Sequence, residues 1–280
     1  MPRIFLISLS ILILQSHSIT AQNKIELKPK KMKGAFYISW GYNREAYSNS
    51  DIRFKNNTND NYDFTLVNAA AHDRPGFNNG FSNFIHSDLT IPQYNLHIGY
   101  MFKDRNDLGI EWSWDHLKYV VYDNTMIHVR GNIRGNQIDK DTFVSSDFVH
   151  LQHTNGNNYM MLNIVKFQHI YENKYVNISA VGKVGIGPLV SYSISTVLGS
   201  QWDTWFRIQG LVVGGTVGGR LDLFKYLFIQ PSFQIAWADY MSTPIGKDGE
   251  GRATHVFGSY TFMLEGGFII PMTKLNNVKK

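Results

Sequence analysis

The chain has 280 residues, a formal net charge of +5, a pI near 9.2 and 14% aromatic residues. It has no cysteine, which excludes a disulfide framework, a thiolate metal centre and a lipid-anchored N-terminal cysteine. Its basic residues scatter rather than cluster into a stripe, which sets nucleic acid aside and favours anionic surfaces such as lipopolysaccharide phosphates.

The chain opens with Met1-Pro2-Arg3, an apolar run Ile4–Leu14, and Ala21 at the expected cut. This is the pattern of a secretory signal peptide over 1–21; the run is too short for a spanning helix. Cleavage there removes one charge, Arg3, and takes the net charge from +5 to +4. Residues 22–33 form a polar, basic periplasmic lead-in. No second long apolar run follows, so helical spans are absent and strands must carry the architecture.

The first strand is Ala35–Asn43, with Phe36, Ile38, Trp40 and Tyr42 on one face and Tyr37, Ser39, Gly41 and Asn43 on the other. Arg44–Thr90 reads as a large outside loop in which Tyr62–Val67 can pair locally. Ile91–Val121 reads as a hairpin around the turn at 103–107. Its first arm sets Tyr94, Leu96, Ile98, Tyr100 and Phe102 against Asn95, His97 and Gly99. Its second arm sets Leu108, Ile110, Trp112 and Trp114 against Gly109, Glu111, Ser113 and Asp115. Asp123–Gly156 is a second polar loop with β-prone pieces at Met126–Val129 and Phe143–Leu151. Strands follow at Asn158–His169, Tyr175–Ser193, Trp205–Leu223, Tyr226–Asp239 and Thr254–Ile270, ending at Pro271.

That makes eight strands whose connections alternate between tight and long, with both termini on the tight side. The expected fold is all-β: an eight-stranded antiparallel transmembrane barrel over 34–271, with two long extracellular loops and a polar tail at 272–280. A lipocalin-type soluble barrel has no reason for such sidedness. The inward face carries Glu111, Asp115, Lys183, Arg220 and Glu265, read as a buried, paired network that fills a narrow lumen and opposes a pore. Glu111 and Arg220 are the candidate direct partners.

Four polar clusters fall at the expected outer rim and could converge on one mouth. They are His72-Asp73-Arg74; Asp115-His116 with Lys118 and Tyr119; His153 with Asn157 and Tyr159; and Thr254-His255. Their chemistry suits acid–base work and phosphate binding, and equally a hydrated rim; Asn155-Gly156 alone signals a turn. His150 and His153, three apart on a strand, face opposite ways, so no metal is expected. Gly182–Gly187 is a run of strand glycines rather than a phosphate loop, since no helix start follows.

Segments Phe36–Arg44, Tyr62–Leu66, Asp115–Tyr119 and His153–Tyr159 resemble an uncharacterised family of Gram-negative outer-membrane β-barrel proteins. The resemblance extends over most of the chain after the signal. It implies the barrel and an outer-membrane location, and no catalytic residue. The leading functional expectation is a surface-binding or envelope-structural barrel without cofactor or metal. It would be a monomer in contact with outer-membrane lipid and lipopolysaccharide, inserted by the barrel-assembly machinery. The alternative is a lipid A-modifying enzyme of deacylase or acyltransferase type, with His116 and Ser191 or Ser193 as positional candidates. A narrow pore is the third reading.

Overall fold

The computed structural model describes residues 34–58, 60–75, 93–103 and 107–272. The expected signal peptide at 1–21, the lead-in at 22–33 and the tail from 273 onward lie outside these residues, as do 76–92 and the turn core 104–106. The strands are β1 (Ala35–Tyr47), β2 (Ser50–Asn56), β3 (Tyr62–Ala69), β4 (Ala71–His72), β5 (Tyr94–Met101), β6 (Leu108–Val121), β7 (Thr125–Ile133), β8 (Asn136–Val144), β9 (Val149–Glu172), β10 (Val176–Ser191), β11 (Ile194–Val197), β12 (Ser200–Asp203), β13 (Arg207–Leu223), β14 (Leu227–Ile245) and β15 (Gly251–Pro271).

Eight of them close a ring in the order β1, β5, β6, β9, β10, β13, β14, β15, because β1 pairs antiparallel with both β5 and β15. Closure leaves no free edge in the wall, the condition for a sheet to cross lipid. The hairpin at the centre of the sequence forms as its alternation requires, with Tyr94 opposite His116, Ile98 opposite Trp112 and Met101 opposite Gly109.

Side-chain polarity is inverted relative to a soluble barrel. Trp40, Ile164, Val184 and Phe262 point outward and stay exposed, at 48%, 66%, 67% and 53%, while Glu111, Lys183 and Glu265 are buried within. A wall of aliphatic and aromatic groups in water would be strongly unfavourable, at about 25 cal/mol per Å²; hydrocarbon removes that cost, and the inward polar groups satisfy one another. Crossing lipid takes about 9–11 residues per strand. With 24 residues in β9 and 21 in β15, the wall continues well past that band at the end where the long connections lie.

The described parts of the two long connections are built rather than irregular. β15 pairs with β2 through Arg252, Ala253 and Thr254, and the sheet continues through β3 and β7 to β8. Its inner face packs Phe54, Phe64, Leu66, Val129 and Val144 against Val149, Leu151, Val197 and Phe257 in one buried cluster over the barrel's end. The second connection is shorter than expected, since β9 starts at Val149. Asn155-Gly156 is therefore no turn: it lies inside β9, where the register against β6 slips by two residues between Leu117–Asn157 and Tyr119–His153. Gly156, at φ 148, accommodates that bulge.

One inward glycine is fixed by its neighbour. The ring of Tyr37 covers Gly99, and a Cβ there would lie 2.1 Å from Tyr37 Cζ. Gly99→Ala must displace a ring held on Glu111, and should cost about 1–3 kcal/mol in urea unfolding from micelles.

Candidate functional site

The lumen is filled in three layers. At the tight-turn end the Arg220 guanidinium lies 3.7 Å from the Phe228 ring centre, 5.0 Å from Tyr37 and 5.2 Å from Phe167. Its Nε donates to Asp222 Oδ1 at 2.7 Å. Aromatic faces attract a desolvated guanidinium, and Met101, Val165, Val181 and Ile269 complete the plug.

Charges occupy the middle layer. Lys183 Nζ donates to Glu111 Oε1 and Oε2 at 2.7 and 2.8 Å, and Tyr37 OH donates to Oε2 at 2.8 Å. His97 places Nε2 2.8 Å from Asp115 Oδ1 and Nδ1 2.8 Å from Glu265 Oε1. His97 thus bridges the two carboxylates, with Lys183 Nζ 3.2 Å from its Nδ1. Ser39 and Gln230 also donate to Glu265, and Asn95 to Asp115. Glu111 and Lys183 pair directly, and Glu265 reaches them through His97. The expected Glu111–Arg220 pair does not form: Glu111 takes Lys183, and Arg220 sits in the aromatic layer with Asp222.

Rings and amides fill the third layer. His153 stacks on Tyr240 with centres 4.0 Å apart and planes 4° apart, and Tyr119 lies against both His153 and His255. His153 Nε2 is 3.3 Å from His255 Nε2, and its Nδ1 is 2.6 Å from Ser193 Oγ. The proton directions follow from Gln209. Its Nε2 donates to Ser191 O and Thr204 Oγ1, so Oε1 must accept from Ser193 and Thr243. Ser193 spends its one proton on Gln209 and accepts from His153 Nδ1–H. His153 Nε2 then accepts from His255. In this arrangement His153 is not a base toward Ser193, both residues are fully buried, and His153 bonds to no carboxylate. A serine nucleophile needs the opposite polarity and an open approach.

The rim residues therefore separate. Tyr119, His153 and His255 come together; Asn157 accepts from Tyr240 OH at 2.7 Å, and Tyr159 OH bonds Ser259. Asp115 joins the charge layer below. His116 faces the outer wall, stacked on Tyr94, which stacks on Trp40; with Trp114 Nε1 it bonds Asn158 Oδ1. His116 meets no serine among these contacts, and Ser191 bonds Tyr240. Asp73 holds Arg44 at 2.8 Å, His72 packs on Tyr122, and Arg74 bonds Gln93 through its backbone. Lys118 is buried and gives its carbonyl to Tyr47. No group of three or more His, Asp or Glu is placed to hold a metal among the described residues.

Sequence reasoning missed His97, Gln209 and Tyr240. Parity alone put His97 on the inward face, without its height; Tyr240 fell just past the expected strand Tyr226–Asp239. It also missed a cluster on the sheet beyond the barrel, where His128 lies between Asp139 and Asp141.

The chain matches no family model and no curated protein. Solved structures similar to it include Ail, the attachment invasion locus protein of Yersinia pestis, at 14% identity over 85% of this chain and 100% of that one, with a TM-score of 0.34. Outer membrane protein OprG from Pseudomonas aeruginosa has 8% identity over 86% and 98%, with a TM-score of 0.37. Outer membrane protease OmpT from Escherichia coli has 8% identity over 85% and 96%, with a TM-score of 0.34. Scores of this size assign no role. The class of the protein rests on its own pairing and surface: an eight-stranded antiparallel barrel with a lipid-facing apolar wall and a filled polar lumen.

Proposed function

We propose that the protein is a sealed outer-membrane barrel that carries a folded β-sheet at the cell surface, with a binding or envelope-structural role rather than transport or catalysis. The observation behind this reading is the lumen, filled from the Arg220 cage through the Glu111–Lys183 layer to the His153–Tyr240 stack. An interior packed with side chains leaves no path for solutes. In this reading residues 1–21 direct export, the barrel-assembly machinery inserts the chain, and the barrel stands as a monomer among lipid and lipopolysaccharide. The long-connection end faces outside, as in barrels with short periplasmic turns.

Purified protein in planar bilayers should show no steady conductance. The unboiled protein should migrate differently from the boiled one on a denaturing gel and fractionate with outer membranes. Protease added to intact cells should cut within 123–148, since exposed connections are preferred sites. Stable open channels, or recovery in the soluble periplasm, would overturn the proposal.

A further inference from the structure

Among the described residues, the sheet beyond the barrel ends in a strand with one edge unpaired. Among the described residues β8 pairs with β7 alone. The turn Arg134-Gly135, at φ 53 and 86, joins Ile133 and Asn136 as direct neighbours. A two-residue turn with both φ positive closes on a hydrogen-bonded pair, so Asn136, Ile138, Lys140, Thr142 and Val144 turn their backbone groups toward β7. Two bonds fix the same phase. Arg134 N donates to Asn61 O at 2.9 Å, which aims the even residues of β7 at β3, and Asn124 N donates to Val144 O at 2.6 Å. The N–H and C=O groups of Gln137, Asp139, Asp141 and Phe143 therefore point off the edge. The edge is nine residues long, its register with β7 has no shift, and these four residues are exposed. Such an edge is a template for another strand.

Charge selects the occupant. Asp139 and Asp141 share the solvent face, and His128 on β7 places Nε2 2.8 Å from one and Nδ1 2.9 Å from the other. A second copy of β8 would set acids against acids, which opposes pairing. We propose that β8 is a docking edge for an extended cationic peptide segment, added as a strand with basic side chains beside Asp139 and Asp141 and apolar ones beside Ile138 and Thr142. His128 is the internal competitor. Hydrogen bonds donated by its ring nitrogens to Asp141 and Asp139 hold its pKa above the ordinary 6.5. Also facing it are Arg130 on its own strand and, further along β3, Asp63, which is tied to Arg53 and Lys55. As pH rises through the raised value, the imidazolium loses its proton and the two carboxylates are left for a cationic strand, so affinity should rise across that window.

The test uses the full-length protein in nonionic micelles, its barrel verified by heat-dependent gel mobility. The probe is a fluorescent nine-residue peptide alternating lysine and valine; a glutamate–valine peptide is the control. The lysine peptide should bind and the control should not. Asp139→Asn with Asp141→Asn should weaken binding by about tenfold or more. Gln137→Pro, which removes one edge N–H and keeps both acids, should weaken it by about fivefold or more. His128→Gln should tighten binding at mildly acidic pH and flatten the pH profile. No binding by the folded wild type overturns the proposal. Binding that needs the acids but survives Gln137→Pro overturns strand addition. Neither result depends on which side of the membrane the sheet faces, so both are distinguishable from failure of the sealed-barrel reading.

Discussion

Glu111→Ala is expected to lower the stability of the barrel by about 3–5 kcal/mol, read from urea unfolding in micelles. The substitution leaves the Lys183 ammonium, 4% exposed, without the carboxylate that takes two of its hydrogen bonds. It also strips Tyr37 OH of its acceptor, and that ring is what covers Gly99. Lys183→Ala should cost a similar amount by stranding the opposite charge. Replacing both should cost less than the sum by at least about 1 kcal/mol, because the second change removes the group the first left unmatched. The companion cycle of Glu111 with Arg220 should come out near additive, since Arg220 sits with Asp222 and the aromatic rings. Coupling between Glu111 and Arg220 that equals the Lys183 coupling would contradict the layering of the lumen.

That pairing marks where the sequence stopped being informative. Alternation places Glu111, Lys183, Arg220 and Glu265 on the inward face, because parity along a strand is a local property. Which of them meet depends on height in the barrel, and height depends on the stagger accumulated from strand to strand around the ring. β6 and β10 are separated by β9, yet Glu111 and Lys183 reach each other across the interior. The same limit explains the rim residues. Asp115 and Tyr119 stand four apart on β6 with the same parity; one drops into the charge layer with His97 and the other rises to His153 and His255. His116, of opposite parity, could never join them. The β9 bulge was hidden for another reason: Asn-Gly supports a tight turn and an irregular strand position equally well. The alternating core strands were legible in composition and period; the sheet beyond them was only half legible, as short β-prone pieces without a stated partner.

Phe64→Ala should dismantle that sheet while leaving the barrel closed. Phe64 is 1% exposed, with ring centres 5.3 Å from Phe54, 5.7 Å from Tyr62 and 5.8 Å from Phe148. It therefore joins β2, β3 and the segment entering β9 through one cluster. Removing a fully buried phenylalanine costs about 3–5 kcal/mol. Here the loss falls on elements tied to the wall by the three residue pairs between β15 and β2 and by the buried cluster that contains Phe64 itself. The barrel's own pairing, Tyr94 to His116 and onward round the ring, uses none of these contacts. The variant should keep its heat-dependent gel mobility, yet the 123–148 region should be cut by protease on intact cells much faster than in the wild type. It should also lose the lysine-peptide affinity, since β8 pairs with β7, β7 with β3, and Val144 of β8 packs into the same buried cluster as Phe64. If mobility is lost together with protease resistance, the sheet and the barrel fold as a single cooperative unit, and the sheet is part of the closure itself.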